Sequence, residues 1–327
     1  MRLRGIDFGR VHLASGTGGF KCDGTEYWYH GTRFAPDFTG ATKNAKTVTL
    51  FERTTNNGAN MDLDENLRPV ERFPRCIAVN PFLCCSDNAA GLANWGIKKH
   101  LDSGVWQSWE APSFVSLIAV GATLKERLRE WGQMFAIFAE YLPDFKAPVA
   151  IQENHSCPTT GHNPHEYMLS TEPEQVLDIG ADLGVPQIPK FNVMQLSLDA
   201  GLRIGAHKEC DALLLSNTVP WMDLPLWMRL LSFGTPFSPL RWRGIKQDGG
   251  YSGPLLLPLV EEKIRTLRIW GFTKPIIACG GITKAKHVDR MCDAGADAIE
   301  FATVAMLRPW RVQEIIDRAI TIPWPRR

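Results

Sequence analysis

The sequence predicts an α/β fold, a (β/α)8 TIM barrel with an N-terminal extension and inserted loops at its C-terminal face, in a single domain over residues 1–327. From about residue 110, short β-rich apolar runs alternate with longer stretches of helical period, which indicates β-α units around a parallel sheet. Glycine-containing turns follow the last two predicted strands, where barrels commonly bind phosphate. The alternative is an open doubly wound sheet, but Ser15 to Gly19 has the glycines of its nucleotide turn without a convincing continuation.

Each predicted unit consists of an apolar run followed by a helical one. The first strand, 114–120, is followed by a helix over 124–142, in which apolar residues recur near helical spacing. Pro143 ends this helix, because proline cannot continue its hydrogen bonding. The next predicted elements are, in order, strand 149–152, helix 173–183, strand 191–196, helix 199–209, strand 212–215, helix 256–270, strand 275–279, helix 284–294, strand 298–301 and helix 311–320.

Composition favours a globular enzyme with a small-molecule substrate. The chain has 327 residues, 44% of them hydrophobic, with 36 basic against 35 acidic residues. It therefore lacks the positive charge that nucleic-acid binding usually requires. Eight irregularly spaced cysteines indicate reduced thiols rather than a disulfide framework. No apolar run has the length of a signal peptide or a transmembrane segment, so we expect a cytoplasmic protein.

A cysteine stands directly after a predicted buried strand. Residues 154–158 read Asn-His-Ser-Cys-Pro and follow the apolar stretch 147–151. A thiol beside amide and hydroxyl groups at the mouth of a strand is placed for chemistry, although a buried cysteine can also be inert. Zinc binding is the alternative here, since His155, Cys157, His162 and His165 lie close together in sequence. Their irregular spacing argues against it, and we predict no metal site.

Two late turns form a candidate phosphate site. Cys279, Gly280 and Gly281 end one strand, and Ala302 and Thr303 end the next. Glycines allow backbone N–H groups to approach an anion, and a following helix N-terminus adds a favourable dipole. The alternative is that the glycines only terminate a strand.

Seven motifs follow one another in a fixed order from near the N-terminus to the last helix. They are residues 13–16 (Leu-Ala-Ser-Gly), 46–49 (Lys-Thr-Val-Thr), 88–94 (Asn-Ala-Ala-Gly-Leu-Ala-Asn), 154–158, 216–218 (Ser-Asn-Thr), 249–253 (Gly-Gly-Tyr-Ser-Gly) and the late phosphate pair. In this order they resemble the motifs of the dihydroorotate dehydrogenase family. The resemblance implies FMN as cofactor and oxidation of a dihydropyrimidine, dihydroorotate to orotate, in pyrimidine biosynthesis.

The resemblance also implies roles for individual residues. Cys157 would be the base that removes a proton while FMN accepts a hydride, and Lys46 would lie beside flavin and substrate. Substrate contacts are implied for Lys46, Asn88, Gly91, Leu92, Asn154, Thr159, Asn217 and Thr218. Cofactor contacts are implied for Ala14, Ser15, Gly16, Lys46, Thr47, Asn154, Gln195, Thr218, Gly253, Cys279, Gly280, Gly281, Ala302 and Thr303.

Three departures from the family pattern bear on substrate and flavin. Gln195 is expected on the strand where the family has a lysine, and Lys190, at an odd offset from it, on the opposite strand face. Thr159 stands where the family commonly has asparagine, and Ala302 where it has glycine. These departures leave two alternatives open. The substrate could be another dihydropyrimidine or a cyclic amide, or the chain could bind flavin without dehydrogenase activity.

An aromatic-rich stretch over residues 220–243 separates the last two substrate motifs. It contains Trp221, Trp227, Phe233, Phe237 and Trp242. We expect a lid over the active site, with membrane or subunit docking through a short amphipathic helix as the alternative. A homodimer is expected for a barrel of this kind. The electron acceptor, whether fumarate, a quinone or a partner flavoprotein subunit, is not specified by the motifs.

Overall fold

A computed structural model describes residues 1–24, 27, 29–156 and 171–325. In this part of the chain the strands are β1 (Arg2–Leu3), β2 (Ile6–Asp7), β3 (Val11–Leu13), β4 (Asn44–Val48), β5 (Ile77–Asn80), β6 (Cys85–Asn88), β7 (Ser113–Leu117), β8 (Val149–Asn154), β9 (Gln187–Phe191), β10 (Leu213–Leu215), β11 (Val219–Pro220), β12 (Gly250–Ser252), β13 (Ile276–Cys279) and β14 (Ala298–Phe301). The helices are α1 (Ile97–Asp102), α2 (Leu124–Tyr141), α3 (Glu172–Gly180), α4 (Leu198–Ala206), α5 (Leu226–Phe233), α6 (Leu257–Ile269), α7 (Ala285–Ala294), α8 (Thr303–Leu307) and α9 (Val312–Thr321).

Eight parallel strands form one sheet in the order β3-β14-β13-β10-β9-β8-β7-β4. The two end strands are joined, because Thr42 N donates to Val11 O (2.9 Å) and Leu13 N donates to Thr42 O (3.0 Å). These bonds leave the sheet nearly closed on itself, with helices packed around its outside. The predicted barrel is confirmed.

Successive side chains along each strand point to opposite faces of the sheet, and this divides the core into two layers. Val115, Ile151 and Ile299 face outward and pack with the buried faces of the helices. Phe114, Ile188, Leu214 and Ile277 face the barrel interior. Met1, Leu3 and Phe8, on and beside the N-terminal hairpin β1–β2, pack into this inner layer. Each buried apolar side chain of this size stabilises the fold by about 1.5–3 kcal/mol.

The helix predicted over 124–142 begins and ends as its sequence dictates. Thr123 Oγ1 accepts a hydrogen bond from Glu126 N (3.2 Å), and the Glu126 carboxylate accepts one from Thr123 N (2.8 Å). This capping box satisfies two amides that the first turn leaves unpaired. The α-helix ends at Tyr141, and Pro143 lies in the short 3-10 turn that follows.

The strand predicted over 191–196 lies earlier in the chain, at Gln187–Phe191. Asn192 ends it, because its Oδ1 accepts hydrogen bonds from Met194 N and Gln195 N, both 3.0 Å, and turns the chain. Pro189 lies within the strand and weakened its signal, since proline is uncommon in central strands. The shift places Lys190 in the barrel wall and Gln195 beyond it.

Inserted segments build a second sheet in the order β11-β12-β6-β5, with all its strand pairs antiparallel. Gly250 pairs with Asn88 and Ser252 pairs with Ser86, so this sheet joins two of the sequence motifs. It lies at the carboxyl end of the barrel strands, since Asn88 and Ser252 line the same cavity as Asn154, the last residue of β8. The predicted insertions at that face are confirmed.

Candidate active site

Two adjoining cavities open at the carboxyl end of the barrel. The larger has a volume of about 470 Å³ and the smaller about 80 Å³. Parallel strands bring their carboxyl ends to one face, so residues distant in sequence meet there. The residues common to both linings are Ser15, Asn217, Thr218, Ser252, Ala302 and Thr303.

Glycine backbone forms one wall of the smaller cavity. Gly280 and Gly281 have φ angles of +111° and +79°, which favour glycine strongly. A Cβ on Gly281 would lie 2.6 Å from Leu257 N, and one on Gly253 would lie 2.4 Å from Cys85 Cβ. Helix α7 begins two residues after Thr283, which also lines the cavity. A small cavity with glycine walls near a helix N-terminus suits a phosphate.

Lys190 reaches this cavity from β9. Its side chain is buried, it lines the smaller cavity, and Nζ donates to Ser15 Oγ at 3.2 Å. The expectation that Lys190 lies on the wrong strand face is therefore wrong. Ile188 and Lys190, two residues apart, share the face that points into the barrel.

Gln195 lies outside both linings, and its predicted place on the strand is wrong, because β9 ends at Phe191. Its Oε1 accepts from Asn192 Nδ2, and its Nε2 donates to Asp223 Oδ2 at 3.3 Å. The side chain thus stabilises the turn that follows β9. A strand predicted over residues 187–191, with Ile188 and Lys190 on its inward face, would have identified Lys190 as a residue of the cavity.

Hydroxyl groups connect Lys190 to the second strand of the barrel. Ser15 Oγ lies 3.0 Å from Thr47 Oγ1, which lies 2.8 Å from Ser116 Oγ. Lys46, next to Thr47, lines the larger cavity, and its Nζ is 5.1 Å from the centre of the Phe20 ring. Two lysines therefore face the cavities from different strands, an arrangement that attracts anionic ligands.

Carboxamides line the larger cavity. Asn217 Nδ2 donates to Asn154 Oδ1 (2.8 Å) and to Ser156 Oγ (3.3 Å). Asn88 Oδ1 accepts from Ala90 N (2.8 Å). Asn88, Asn154 and Asn217 all border the cavity, as do Thr218 and Gly16. Each amide offers both a donor and an acceptor to a ligand.

The loop after Asn88 is held in one conformation. Gly91 has φ +72°, and a Cβ there would lie 2.8 Å from Ala59 Cα. Leu92 also has a positive φ, +61°, and lines the larger cavity with Gly91. Asn94 fixes the loop to the Lys-Thr-Val-Thr strand, since Nδ2 donates to Thr49 Oγ1 (2.9 Å) and to Leu92 O (2.7 Å).

Ala14 and the late phosphate pair, which includes Cys279, also line the smaller cavity. Burial raises the pKa of Cys279 to about 12, so this thiol stays protonated at neutral pH.

Cys157 and Thr159, the predicted base and substrate contact, lie outside the described residues, as do His162 and His165. Within the described ranges there is no group of three or more His, Cys, Asp and Glu side chains that could hold a metal.

The expectation of an aromatic lid over residues 220–243 is wrong, because Arg243 alone of that segment lines the larger cavity. Trp221 is buried against Phe233, with ring centres 5.7 Å apart. Trp227 and Trp242 are exposed, 58% and 74% respectively.

The sequence analysis missed the outer wall of the larger cavity, because this wall contains no motif. It consists of Tyr27, Met61, Pro69, Arg72, Phe73, Pro74, Ile77, Val79, Met306 and Leu307.

Several known proteins are similar to this chain. The catalytic subunit of dihydroorotate dehydrogenase B (NAD(+)) from Thermococcus kodakarensis is 29% identical over 241 residues, 71% of this chain and 70% of that one. The corresponding subunit from Streptococcus pneumoniae serotype 4 is 26% identical over 237 residues, 70% and 69% of the two chains. Dihydroorotate dehydrogenase A (fumarate) from Limosilactobacillus reuteri is 25% identical over 253 residues, 74% and 75%.

A crystal structure of DHODH from Eimeria tenella with ferulenol has a TM-score of 0.67 at 13% identity, covering 97% of this chain and 82% of that chain. No protein-family model matches the chain. Within the described ranges, none of the helices combines the length and the apolar character needed to cross a membrane. The chain therefore shares its barrel fold with this solved structure, and it is similar to curated dihydroorotate dehydrogenases over about 70% of their length.

Proposed function

We propose that the chain is an FMN-dependent dehydrogenase that oxidises dihydroorotate to orotate in pyrimidine biosynthesis. The observation that supports this best is the convergence of seven separated motifs on two adjoining cavities. One cavity has the glycine walls that suit a phosphate, and the other has the amides and the lysine that suit a polar, anionic ring. The names of the curated relatives agree with this assignment.

The described residues fit FMN. Gly253, Gly280, Gly281 and Thr303 would hold its phosphate, because their backbone closes around the smaller cavity. Ser15, Thr47 and Lys190, which are joined by hydrogen bonds, would hold the polar edge of the ring. Lys190 thereby takes the role that the sequence assigned to Gln195. When bound, FMN supplies a hydride acceptor.

The substrate would lie against the amides of the larger cavity. Asn88, Asn154 and Asn217 present donors and acceptors that match a cyclic imide edge. Lys46 would pair with the carboxylate, which distinguishes dihydroorotate from an uncharged dihydropyrimidine. The apolar outer wall, including Phe73 and Leu307, would limit the access of water.

Oxidation of a carbon pair also requires a base for the second hydrogen. We assign this role to Cys157, three residues after Asn154, which ends β8 at the cavity. An unperturbed thiol has a pKa of ~8.5, so a growing fraction of thiolate would raise the rate as pH increases toward that value.

The visible spectrum of the purified protein tests the assignment. We expect a yellow protein that releases FMN on denaturation and bleaches when dihydroorotate is added without oxygen. A yellow protein that bleaches only with another dihydropyrimidine would favour the second substrate class, which the threonine at position 159 keeps open. A protein that binds no flavin when reconstituted with FMN would contradict the proposal.

The curated relatives named for NAD(+) are named as catalytic subunits, and one named for fumarate is also similar to this chain. We propose that acceptor choice depends on a partner subunit. Fumarate-dependent turnover by the chain alone would contradict this. Turnover with NAD(+) only after a flavoprotein subunit is added would support it.

A further inference from the structure

A polar layer lies inside the barrel next to the smaller cavity. Asn44, Gln152 and Glu300 come from three different strands and are fully buried. Asn44 Nδ2 donates to Gln152 Oε1 (2.9 Å) and to Glu300 Oε1 (3.4 Å), and Gln152 Nε2 also donates to Glu300 Oε1. None of the three lines either of the two cavities, and the proposed reaction uses none of them.

Glu300 is the one ionisable group of this layer. Its Oε1 receives both hydrogen bonds, whereas Oε2 has no hydrogen-bond partner in the part of the chain that the structure describes. A buried carboxylate with an unsatisfied oxygen is unfavourable, so burial raises the pKa of Glu300 to about 7, and the Lys190 ammonium opposes the rise. A buried group with these properties is unusual in a purely structural role.

The neighbours of Glu300 leave Lys190 as its principal charged partner. On the flanking strands Cys279 and His12 are in register with Glu300. Burial raises the pKa of Cys279 to about 12 and lowers the pKa of His12 to about 3, so both side chains are neutral near pH 7. Asn44 and Gln152 carry no charge. Lys190 is the cation whose charge acts on Glu300.

We propose that Glu300 is a positioning residue for Lys190, whose charge it balances from inside the barrel according to its own state of protonation. Lys190 donates to Ser15 and lines the smaller cavity together with Cys279. Cys279 is in register with Glu300, whose side chain faces the barrel interior. When Glu300 is ionised, the pair carries little net charge toward a bound anion. When Glu300 is protonated, the positive charge of Lys190 acts on the ligand without opposition. The effect on flavin rests on the proposed function, but the coupling of the two residues does not.

Glu153 provides a matched control. It is also a fully buried glutamate on a barrel strand, and its pKa is likewise raised by burial. It follows Gln152 directly and therefore faces the opposite side of the sheet, away from Lys190. Glu153→Gln and Glu300→Gln thus remove the same ionisable group from two sides of the barrel wall.

NMR of protein labelled with 13C at lysine Cε tests the coupling, with Lys190→Gln used to assign the resonance. In the natural chain we expect the Lys190 resonance to shift with an inflection near pH 7, where Glu300 loses its proton. Glu300→Gln should abolish this inflection, and Glu153→Gln should retain it. An inflection that is absent in the natural chain, or that survives Glu300→Gln, would overturn the proposal.

Flavin absorbance of the same samples separates this inference from the proposed function. A colourless protein in which the inflection disappears with Glu300→Gln would support the pair and contradict FMN binding. With flavin bound, the midpoint potential of the natural chain should show an additional pH dependence near pH 7 that Glu300→Gln removes and Glu153→Gln keeps. A potential with the same pH dependence in all three proteins would contradict the effect on flavin.

Discussion

Asn217 Nδ2 donates a 2.8 Å hydrogen bond to Asn154 Oδ1 and so joins the ends of two barrel strands that are separated by a third. Asn154 ends β8, and Asn217 follows β10, with β9 between them. The bond orients both amides before a ligand arrives, which lowers the entropy lost on binding.

We predict that Asn154→Ala and Asn217→Ala each lower kcat/KM for dihydroorotate by about tenfold to hundredfold, because an unpaired buried amide costs about 1–3 kcal/mol. Since the two amides share a bond, the double variant should lose less than the product of the single losses. Steady-state kinetics of the four proteins measure this. Fully additive effects would show that the bond does not matter for binding.

Lys190 and Gln195 should differ in their effect on flavin. Lys190→Gln should lower the reduction potential of the bound flavin and weaken its binding, because a cation beside the ring stabilises its reduced form. Gln195→Ala should leave the potential unchanged, since Gln195 lies outside both cavities. Spectroelectrochemical titration compares them. A change of potential with Gln195→Ala alone would restore the role that the sequence assigned to Gln195.

Cys157→Ala should reduce turnover by at least ~100-fold while leaving flavin bound, because a general base commonly contributes ~100- to 10,000-fold. In the natural chain the rate should rise with pH toward the thiol pKa of ~8.5 and then level. Cys292→Ala is the control, since Cys292 is buried on α7 and lines neither cavity. Full activity of Cys157→Ala would exclude the thiol as the base.

Gly281→Ala should abolish retention of flavin, because the added Cβ would meet Leu257 N at 2.6 Å and displace the backbone of the smaller cavity. Gly271→Ala is the matched control, since Gly271 also has a positive φ, +90°, but open space around the position of a Cβ. It should lose about 1 kcal/mol or more of stability and keep its flavin. Equal loss of flavin in both variants would attribute the effect to stability alone.

The pKa of Asp87 predicts how stability depends on pH. Burial raises the pKa of its carboxyl to about 6, above the ordinary value of 3.8, although Ser238 Oγ donates to it at 2.6 Å. Between these values the folded chain holds a proton that the unfolded chain has lost. This group therefore reduces the free energy of unfolding as pH rises from about 4 to 6, by about 1.4 kcal/mol for each step of one in pH.

Asp87→Asn should remove that contribution and flatten the pH dependence over the same interval, as urea unfolding at pH 4, 5 and 6 would measure. Asp64→Asn is a suitable control, because Asp64 lies in an exposed turn. An unchanged slope in Asp87→Asn would show that another group carries the dependence.

The sequence predicted the late barrel units within a few residues, because the strand 298–301 and the helix 284–294 have strong, short-range patterns and clear glycine turns. That inference needs only local period and the rules of the barrel. The shared site of Asn88, Asn154 and Asn217 was implied by the resemblance to the family motifs, and all three residues border the larger cavity.

Local patterns did not determine the register of the strands or the packing of residues that are distant in sequence. Pro189 obscured β9, and the resulting shift exchanged Lys190 for Gln195. Trp221 and Trp242 were expected at the cavity mouth, but composition cannot indicate which way a helix turns its apolar face. The contact of Glu300 with Gln152 and Asn44 joins residues 148 and 256 positions apart, which no local pattern reveals.

Anaerobic titration of the yellow protein with dihydroorotate is the most direct test of the proposed reaction, with the visible spectrum and the orotate formed measured together. We predict that the absorbance of one bound FMN disappears for each dihydroorotate added and that one orotate appears. A flavin that keeps its full absorbance in excess dihydroorotate, with no orotate formed, would contradict dihydroorotate dehydrogenation by this chain.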